Sequence, residues 1–438
     1  MLTLKQRTYG TRQLYIPNIR DEALVEGITA IERYKLRIIS VCDPEDMAVM
    51  PEMLRPFIKD QLDIFKNYGL PAILAERIIC VDAGHQNISK AILKNIDNIR
   101  RVINTKNGPV GLMPYISSFN IDAISEQLGL SVRQCGTASD LINNKAIAQE
   151  ELRRLGVQTP LGKIICSCKQ GEEFAERLQK KGYEEVGFKI IHSASGMGVF
   201  RIGIDEVSKY LKKYEGYIES EGILMDGWIS GNITSYPNVQ FFIGETPEQD
   251  LFISCSKQII SGTSHQGNIN EPEILKRVSG LGDNLLTICN WIRSKGGYGI
   301  NGIDFLVREE GEAERAYFLE NNGRINGCTH GVVLADKIQH LYGPSDRPLE
   351  WGVNNNILVP ASTTAHTFQR WLETSGIAFK SDWTRPPGSS VPNGPRGVLI
   401  TNTAAIESHG KIMVLIVSGS REDVCEMMDM LPTNNNEL

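Results

Sequence analysis

Several features that would assign this sequence to a common class are missing from it. No apolar run approaches the roughly 20 residues that a membrane-spanning helix needs. Residues 1–20 are polar and basic without an apolar stretch, so we expect no secretory signal. No block of Lys or Arg suggests a nucleic-acid surface, and the net charge is a mild −6. These absences favour a cytoplasmic protein with neither a membrane nor a nucleic acid as its partner.

Familiar signatures of nucleotide and metal binding are also scarce. No GxGxxG motif follows the first predicted strand, and the Gly-containing loop near residue 195 lacks the GxxxxGK[ST] pattern of a P-loop. The nine cysteines are irregularly spaced, and the close pair Cys166 and Cys168 has a gap too short for a zinc knuckle. We therefore expect free thiols in a reducing compartment, and any nucleotide site must use other residues.

The order of predicted elements indicates an α/β fold with α+β parts. A chain of 438 residues can hold two to four structural units. Residues 1–137 alternate β-branched runs, at 35–41 and 76–81, with helical patterns, which predicts a parallel sheet with covering helices. Residues 138–345 are expected to form a second domain with a smaller subdomain at about 160–225, and residues 346–438 a small C-terminal cap.

Residues 317–324 contain the first candidate site. The apolar residues 317–319 predict a strand, which then delivers Glu320, Asn322 and Arg324. In an extended strand Glu320 and Asn322 point to the same side. Two oxygen ligands side by side suit a hard divalent cation, and an adjacent Arg suits a transferring phosphoryl group.

An acid inside an apolar strand lies 16 residues before Glu320. Asp304 is flanked by Ile303 and Phe305, where a carboxylate is costly unless it is paired or binds a metal. Two antiparallel strands joined by the charged turn at 308–315 would bring Asp304 beside Glu320. An edge hairpin with ordinary surface acids remains the alternative from these two strands alone.

Residues 187–199 predict a strand, a loop of small residues and a second strand. Lys189 alternates with Phe188 and Ile190 and therefore projects to the opposite face. The loop can lay backbone N–H groups against phosphate oxygens because it has few bulky side chains. Its candidate residues are Ser193, Ser195, Gly196 and Gly198. A glycine-containing hairpin without a ligand is the competing interpretation, and it would be favoured if this stretch stood alone.

Three further stretches complete the candidate set. Lys145 lies on a predicted helix that begins near residue 139, where a solvated Lys is the simpler interpretation. Residues 222–232 predict an apolar strand broken at Asp226, which could bind a purine through its backbone while Met225 and Trp228 offer stacking area. Trp228 is equally well explained as a core residue. Residues 261–268 predict a polar loop that contains His265 and forms a substrate wall.

The order of these parts resembles the ATP-grasp superfamily of carboxylate–amine ligases over roughly residues 125–340, and the preceding unit is similar to its pre-ATP-grasp domain. The resemblance implies an ATP-grasp fold in which the subdomain at about 160–225 is a lid. By this resemblance, Lys145 and Lys189 contact ATP phosphates, residues 193–198 form a mobile loop, and residues 226–229 bind adenine. It also implies that Asp304, Glu320 and Asn322 hold Mg²⁺ or Mn²⁺, and that Arg324 steadies an acyl phosphate. The sequence departs from the family at the usual ribose-binding Glu near residue 233, where Asn232, Ile233 and Thr234 stand.

Residues 236–240, residues 261–268 and the C-terminal cap look like those of the pheganomycin-type peptide ligases. This closer resemblance implies that ATP drives the joining of a small carboxylic acid or amino acid to the amine of an amino acid or peptide, through an acyl phosphate, with release of ADP and phosphate. A homodimer is compatible with it. His265 or His330 could accept the amine proton, or could orient substrate or cap a turn. An ATP-grasp kinase, an acid–thiol ligase and a non-catalytic nucleotide-binding module remain alternatives.

Overall fold

A computed structural model describes residues 3–10, 12–19, 31–84, 87–104, 108–134, 138–191, 198–344, 346–360, 362–384 and 391–432. Within these residues the strands form three sheets that follow one another along the chain. In the same ranges, no helix is both long enough and apolar enough to cross a bilayer.

The first sheet is parallel and lies in the N-terminal part of the chain. Its elements are α1 (Leu4–Thr8), β1 (Gln13–Ile16), α2 (Ile31–Tyr34), β2 (Met47–Pro51), α3 (Arg55–Asn67), β3 (Ile78–Val81), α4 (Ile88–Lys94), α5 (Ile96–Asn104), β4 (Gly111–Pro114), α6 (Phe119–Leu128) and β5 (Ser131–Val132). The strand order is β3-β2-β1-β4-β5. Alternate residues of β1 enter different cores, Leu14 on one face and Tyr15 on the other, because helices cover both faces of a parallel sheet.

One strand predicted for this part is wrong. Lys35–Ser40 is a 3-10 helix whose residues are all buried. A short apolar run that is buried on every side carries no periodicity, so sequence could not separate a buried strand from a buried helical turn.

The second sheet is small and antiparallel, and its strands lie between Gly162 and Gly227, close to the range of about 160–225 in which the sequence predicts a subdomain. This part of the chain contains α7 (Ser139–Ile142), α8 (Lys145–Arg154), β6 (Gly162–Ile165), α9 (Cys168–Gln179), β7 (Glu185–Lys189), β8 (Val199–Gly203), α10 (Val207–Lys213), α11 (Glu215–Glu221) and β9 (Ile223–Gly227). The strand order is β6-β9-β7-β8. Phe188 and Met225 pack with Leu178 of α9 and Leu211 of α10 in its core.

The third sheet, which we call the central sheet, is the largest and includes the C-terminal strands. Its part of the chain contains β10 (Ile233–Ser235), β11 (Pro237–Ile243), β12 (Leu251–Ser261), β13 (Ser264–Asn270), α12 (Ile274–Arg277), α13 (Leu281–Ser294), β14 (Gly299–Glu310), β15 (Ala313–Asn322), α14 (Thr329–Tyr342), β16 (Glu350–Leu358), α15 (Ala365–Thr374), β17 (Lys380–Trp383), β18 (Gly394–Asn402), α16 (Ile406–His409), β19 (Lys411–Ser418) and α17 (Arg421–Asp429). Through the described residues the order is β10-β14-β11-β12-β13-β16-β19-β18-β17, with β15 on the other side of β14.

Two strands of this sheet were not expected from the sequence. Residues 261–268 predict a loop, but β12 and β13 form a hairpin there that turns at Gly262, whose φ is +61°. Residues 343–356 are rich in turn-forming residues, yet β16 pairs with both β13 and β19. The C-terminal strands therefore continue the central sheet across the boundary we predict at residue 345, and the three-domain division stays an interpretation.

The central sheet has one apolar face and one polar face. Val239, Ile303 and Phe318 point into a core that includes Leu285 and Ile292 of α13. Neighbouring positions carry Asn238, Gln240 and Asp304 on the opposite face, since side chains alternate along a strand. This polar face is buried in a cleft, and it positions the site.

Candidate active site

Strands β14 and β15 bring the predicted metal ligands together. Asp304 lies opposite Glu320, and Gly302 lies opposite Asn322, in an antiparallel register. Phe305 pairs with Phe318, so Leu319 is an extra residue on β15, a β-bulge. Without the bulge, Phe318 and Glu320 would share a face; with it, Phe318 enters the core while Glu320 reaches the cleft. Bulges commonly re-aim a side chain in this way beside active sites.

Asp304 is held by three amide groups. Its Oδ1 accepts hydrogen bonds from Asn238 Nδ2 at 2.6 Å and Gln258 Nε2 at 3.2 Å, and its Oδ2 accepts one from Asn322 Nδ2 at 2.8 Å. Gln240 Nε2 in turn donates to Asn238 Oδ1 at 2.6 Å, which fixes the orientation of the Asn238 amide. The carboxylate therefore has one position in the cleft.

The two carboxyl groups differ in their charge environment. Burial, followed by the negative charge of Glu320, raises the pKa of Asp304 well above its usual value. Burial also acts to raise the pKa of Glu320, but the nearby charge of Lys145, with those of Arg324 and Lys189, outweighs it and lowers that pKa. The positive charges of the site therefore act on Glu320, and the carboxyl group of Asp304 lies on the neighbouring strand opposite it.

Helix α8 places Lys145 against the bulged strand. The side chain of Asn144 caps this helix by accepting from the backbone N–H groups of Ala146 and Ile147. Lys145 Nζ lies 3.0 Å from Glu320 Oε2, and Gln149, one turn later on the same helix face, donates to the carbonyl of Leu319 at 2.9 Å. The helix and the bulge therefore fix each other.

Lys189 reaches the same cleft from the small sheet. Its Nζ lies 2.5 Å from Asp226 Oδ2, across the pair of strands β7 and β9. A Cβ on Gly187 would lie 2.6 Å from Asp226 Oδ1, so the absence of a side chain at this position leaves room for the ion pair. Burial raises the pKa of Asp226, and the charge of Lys189 counteracts part of that effect.

One cleft of about 460 Å³ joins these groups. Lys145, Lys189, Asp226, Asp304, Glu320, Asn322 and Arg324 all line it. Its lining also contains aromatic and aliphatic groups, namely Pro160, Ile191, Val199, Trp228, Ile229, Tyr236, Leu306 and Leu319. The apolar part of the lining suits a flat heteroaromatic ring, and the cations and oxygen ligands suit a polyphosphate with a divalent cation.

Several predicted cofactor contacts are placed elsewhere or cannot be placed. Met225 packs in the core of the small subdomain because it alternates with Asp226, which corrects the expectation that it stacks on a purine. Asn232 is exposed and donates a hydrogen bond to Glu309, so it does not line the cleft. Gly198 adopts a φ of +72° and its carbonyl accepts from Ile190 N at 2.9 Å, which closes the hairpin. Ser193, Ser195 and Gly196 lie outside the described residues.

The two candidate histidines have different settings. His265 is on strand β13 rather than a loop, lines the cleft and donates from Nε2 to Asn268 Oδ1 at 2.7 Å. Burial lowers its pKa, which favours a neutral ring able to accept a proton. His330 is buried in α14, and neither of its ring nitrogens has a hydrogen-bond partner among the described residues.

Sequence reasoning missed cleft residues from three distant segments. Asn238 and Gln258 bind Asp304, and Arg37 and Tyr115 reach the cleft from the parallel-sheet part. The amides of β11 are the one signal that was available, since polar residues alternate with apolar ones in residues 237–243. No local pattern marks Arg37.

The donor set fits a hard divalent cation. Asp304 and Glu320 supply carboxylate oxygens, and the Asn322 amide nitrogen faces Asp304, so that its oxygen is left for another partner. Mg²⁺ is commonly bound through one or two carboxylates together with substrate phosphates. In the described ranges no group of three His, Cys, Asp or Glu side chains is arranged to hold a metal, so these two carboxylates and the amide would need phosphate oxygens to complete a shell.

The architecture is the ATP-grasp fold predicted from the sequence, with a parallel-sheet domain followed by antiparallel sheets. The chain is similar to biotin carboxylase from Campylobacter jejuni in a β-γ-ATP complex, with a TM-score of 0.57 and 14% identity over 96% of this chain and 91% of that chain. It is also similar to N5-carboxyaminoimidazole synthase from Aspergillus clavatus in complex with ADP and 5-aminoimidazole ribonucleotide (TM-score 0.56, 12% identity, 96% and 98% of the two chains).

A third similar structure is the biotin carboxylase domain of 2-oxoglutarate carboxylase from Hydrogenobacter thermophilus, which holds MgADP, ADP and bicarbonate (TM-score 0.57, 12% identity, 96% and 90% of the two chains). No family model matches the sequence, and no curated protein is matched by it. At identities this low the similarity shows the fold alone. The fold is confirmed for nearly the whole chain, whereas the sequence resemblance covers roughly residues 125–340.

Proposed function

We propose that this protein is an ATP-dependent ligase that joins a carboxylate to an amine through an acyl phosphate. The observation that carries the proposal is the convergence of three cations, Lys145, Lys189 and Arg324, with the oxygen ligands Asp304, Glu320 and Asn322 in one cleft. Reactions of this class need positioning and charge neutralisation more than a protein nucleophile. The solved structures with the same fold contain ADP or a β-γ-ATP ligand, which supports a nucleotide in this cleft.

Each side chain has a role in the proposed reaction. Lys145 and Lys189 bind ATP phosphates, and Trp228 with its apolar neighbours receives the adenine. A carboxylate oxygen of the acid attacks the γ-phosphorus, ADP leaves, and Arg324 holds the acyl phosphate. The amine nitrogen then attacks the acyl carbon and phosphate leaves.

Asp304, Glu320 and Asn322 would hold Mg²⁺, with Mn²⁺ as a substitute, and the bound ion supplies positive charge to neutralise the phosphates. The neutral ring of His265 is placed on the cleft wall, where it could accept the proton that the amine loses. We propose an amino acid or a peptide as the amine, and a small carboxylic acid or amino acid as the donor.

The experiment is a screen for ADP release by the purified protein with Mg²⁺ and panels of acids and amines. We expect release only when an acid and an amine are present together, and the mass of the product should equal acid plus amine minus water. Release with an alcohol acceptor would indicate a kinase, and a thioester product would indicate an acid–thiol ligase.

Two variants of the same hairpin separate chemistry from folding in this screen. Glu320→Gln removes the charge of one proposed metal ligand and should lower ADP release by about a hundredfold or more. Enzymes that lose one group stabilising the charge of the transition state slow down by a similar factor. Glu309→Gln changes an exposed acid of β14 and should leave the rate unchanged. ATP binding without turnover across both panels, in wild type, would favour a non-catalytic nucleotide-binding module.

A further inference from the structure

A buried guanidinium lies in the cleft, and no acidic residue in the described part of the chain is paired with it. Arg37, in the 3-10 helix Lys35–Ser40, is 8% exposed. Its Nη2 donates to Tyr115 Oη at 3.1 Å, and its Cζ lies 5.7 Å from the centre of the Tyr115 ring. Among the described residues no carboxylate lies within ion-pair distance of Arg37. Burying a charge costs free energy unless it is paired, so an uncompensated buried Arg is typical of a site that awaits an anion.

Tyr115 and His330, which lie near Arg37, can form hydrogen bonds but carry no negative charge that would neutralise the guanidinium. Because Arg37 donates to the Tyr115 oxygen, the phenolic hydrogen of Tyr115 is free to donate to a second acceptor. His330 and Arg37 line the same small cavity of about 10 Å³, together with Tyr34 and Tyr115. Burial, and then the charge of Arg37, lower the pKa of His330 well below its usual value, so that His330 is neutral there.

We assign Arg37 to a second cationic region of the cleft, because it is not among the leading charges that act on Glu320. The leading charges on Glu320 are Lys145, Arg324 and Lys189, whereas Arg37 acts on His265 and His330. Lys411 of β19 also lines the cleft, and burial lowers its pKa. Within the described ranges Lys411 has no acidic group within ion-pair distance either.

The difference between the two regions is informative. In the first, the cations Lys145 and Lys189 each contact a carboxylate and lie beside the proposed metal ligands. In the second, Arg37 and Lys411 have positive charge without a described counter-ion. A substrate that extends from the first region to the second would bring a negative charge at its far end.

We propose that Arg37 and Tyr115 bind the carboxylate of the amine-bearing substrate, so that this substrate is an amino acid or peptide with a free C-terminal carboxylate. The planar fork of a guanidinium matches the two oxygens of a carboxylate, and a phenolic donor beside it adds a third hydrogen bond. The amine then lies between this anchor and the acyl phosphate held by Arg324. The assignment of the bound molecule as the acceptor rests on the proposed ligase function; the anion site itself does not.

The test measures binding without turnover, by isothermal titration calorimetry in the presence of MgADP. The probes are single amino acids and dipeptides, each matched with its C-terminal carboxamide, and inorganic phosphate. We expect at least one acid to bind wild type about thirtyfold or more tightly than its amide, since loss of one partner from a buried charged pair has at least that effect.

Variants assign this preference to Arg37. Arg37→Met should abolish the preference for acid over amide, Arg37→Lys should keep part of it, and Tyr115→Phe should weaken acid binding with less effect on the amide. Arg33→Met is the matched control, because Arg33 lies one helical turn away and does not line the cleft. Where an acceptor supports turnover, Arg37→Met should raise its KM much more than it changes kcat.

Three results would overturn the proposal. The first is that wild type shows no preference for the acid over its amide. The second is that the preference persists in Arg37→Met and that Arg37→Lys also behaves as wild type. The third is that the Arg37 variants lose only phosphate binding, which would make the ligand a phosphoryl group. Acid-specific binding that depends on Arg37, together with no ADP release in any acid and amine mixture, would leave the anion site intact and refute the ligase function instead.

Discussion

Lys189 and Asp226 form an ion pair of 2.5 Å between β7 and β9 in which the carboxylate is 1% exposed and the ammonium side chain 13% exposed. The pair ties together two residues for which the sequence predicts separate roles, one at the phosphates and one at the adenine. It holds the ammonium group of Lys189 at the wall of the cleft. Asp226 is therefore a positioning residue for Lys189 in our proposal.

Breaking this pair should destabilise the small subdomain. Lys189→Met leaves the Asp226 carboxylate buried without its cation, and we expect a loss of about 3 kcal/mol at neutral pH. Burial already raises the pKa of Asp226, so the carboxyl group takes up a proton on acidification and the cost should shrink as the pH falls. Thermal unfolding at two pH values measures this difference.

The double variant Lys189→Met/Asp226→Asn is the control. It replaces the pair with neutral groups of similar size, which should recover most of the stability at neutral pH while nucleotide binding stays weak. A double variant as unstable as Lys189→Met would show that packing, rather than charge, is responsible.

Gly302 should tolerate no side chain. A Cβ there would lie 2.0 Å from Asn326 Nδ2 and 2.6 Å from Gln240 Nε2, inside the amide network behind Asp304. We expect Gly302→Ala to cost about 1–3 kcal/mol, as overpacking does, and to lower ADP release as well. The matched control is Gly282→Ala in α13, where a Cβ meets nothing within 4 Å and the helix propensity of Ala should stabilise slightly. Equal unfolding temperatures for the two variants would contradict the prediction.

Trp228 should contribute to nucleotide affinity. It lines the cleft, and the guanidinium carbon of Arg201 lies 5.3 Å from its ring. Trp228→Ala should weaken MgATP binding by about tenfold, given the area and stacking energy of an aromatic ring. Trp383→Ala removes another Trp that contacts an Arg, at 4.9 Å from Arg396, and does not line the cleft. Calorimetric titration with MgATP should find the second variant unchanged.

His330 should make the protein less stable in mild acid. Burial, then the charge of Arg37, place its pKa well below the ordinary 6.5. Between those two values the unfolded chain binds a proton that the folded chain does not, so stability falls as the pH drops below about 6.5, by up to about 1.4 kcal/mol per pH unit. The charged and titratable groups that share its cavity are Tyr34, Lys35, Arg37 and Tyr115. Burial lowers the pKa of His265 as well, and it contributes in the same direction.

Replacing the ring should separate this contribution from the rest. His330→Phe removes the titrating group and should flatten the loss of unfolding temperature between pH 7.5 and 5.5, whereas His366→Asn, at an exposed position of α15, should follow wild type. An acid slope that His330→Phe shares with wild type would refute the assignment.

The hairpin that contains Asp304 and Glu320 shows which features of the site can be predicted from the sequence and which cannot. Alternation along a strand is a local property, so the shared face of Glu320 and Asn322 could be predicted from spacing alone. The bulge at Leu319 could not, because it depends on how β15 pairs with β14 and on the hydrogen bond from Gln149. The same limit explains Met225, whose burial follows from the core that α9 and α10 build over the small sheet.

The sequence by itself determined the class of fold and the kinds of group in the cleft, since the order of strands, lysines and oxygen ligands is written along the chain. Only the tertiary structure decided which of them meet: Lys189 pairs with Asp226, Lys145 pairs with Glu320, and Arg37 lines the same cleft. It also made β16 and the C-terminal strands part of the central sheet. The physical reason is that strand pairing and burial are set by contacts between distant segments, which no local pattern of residues encodes.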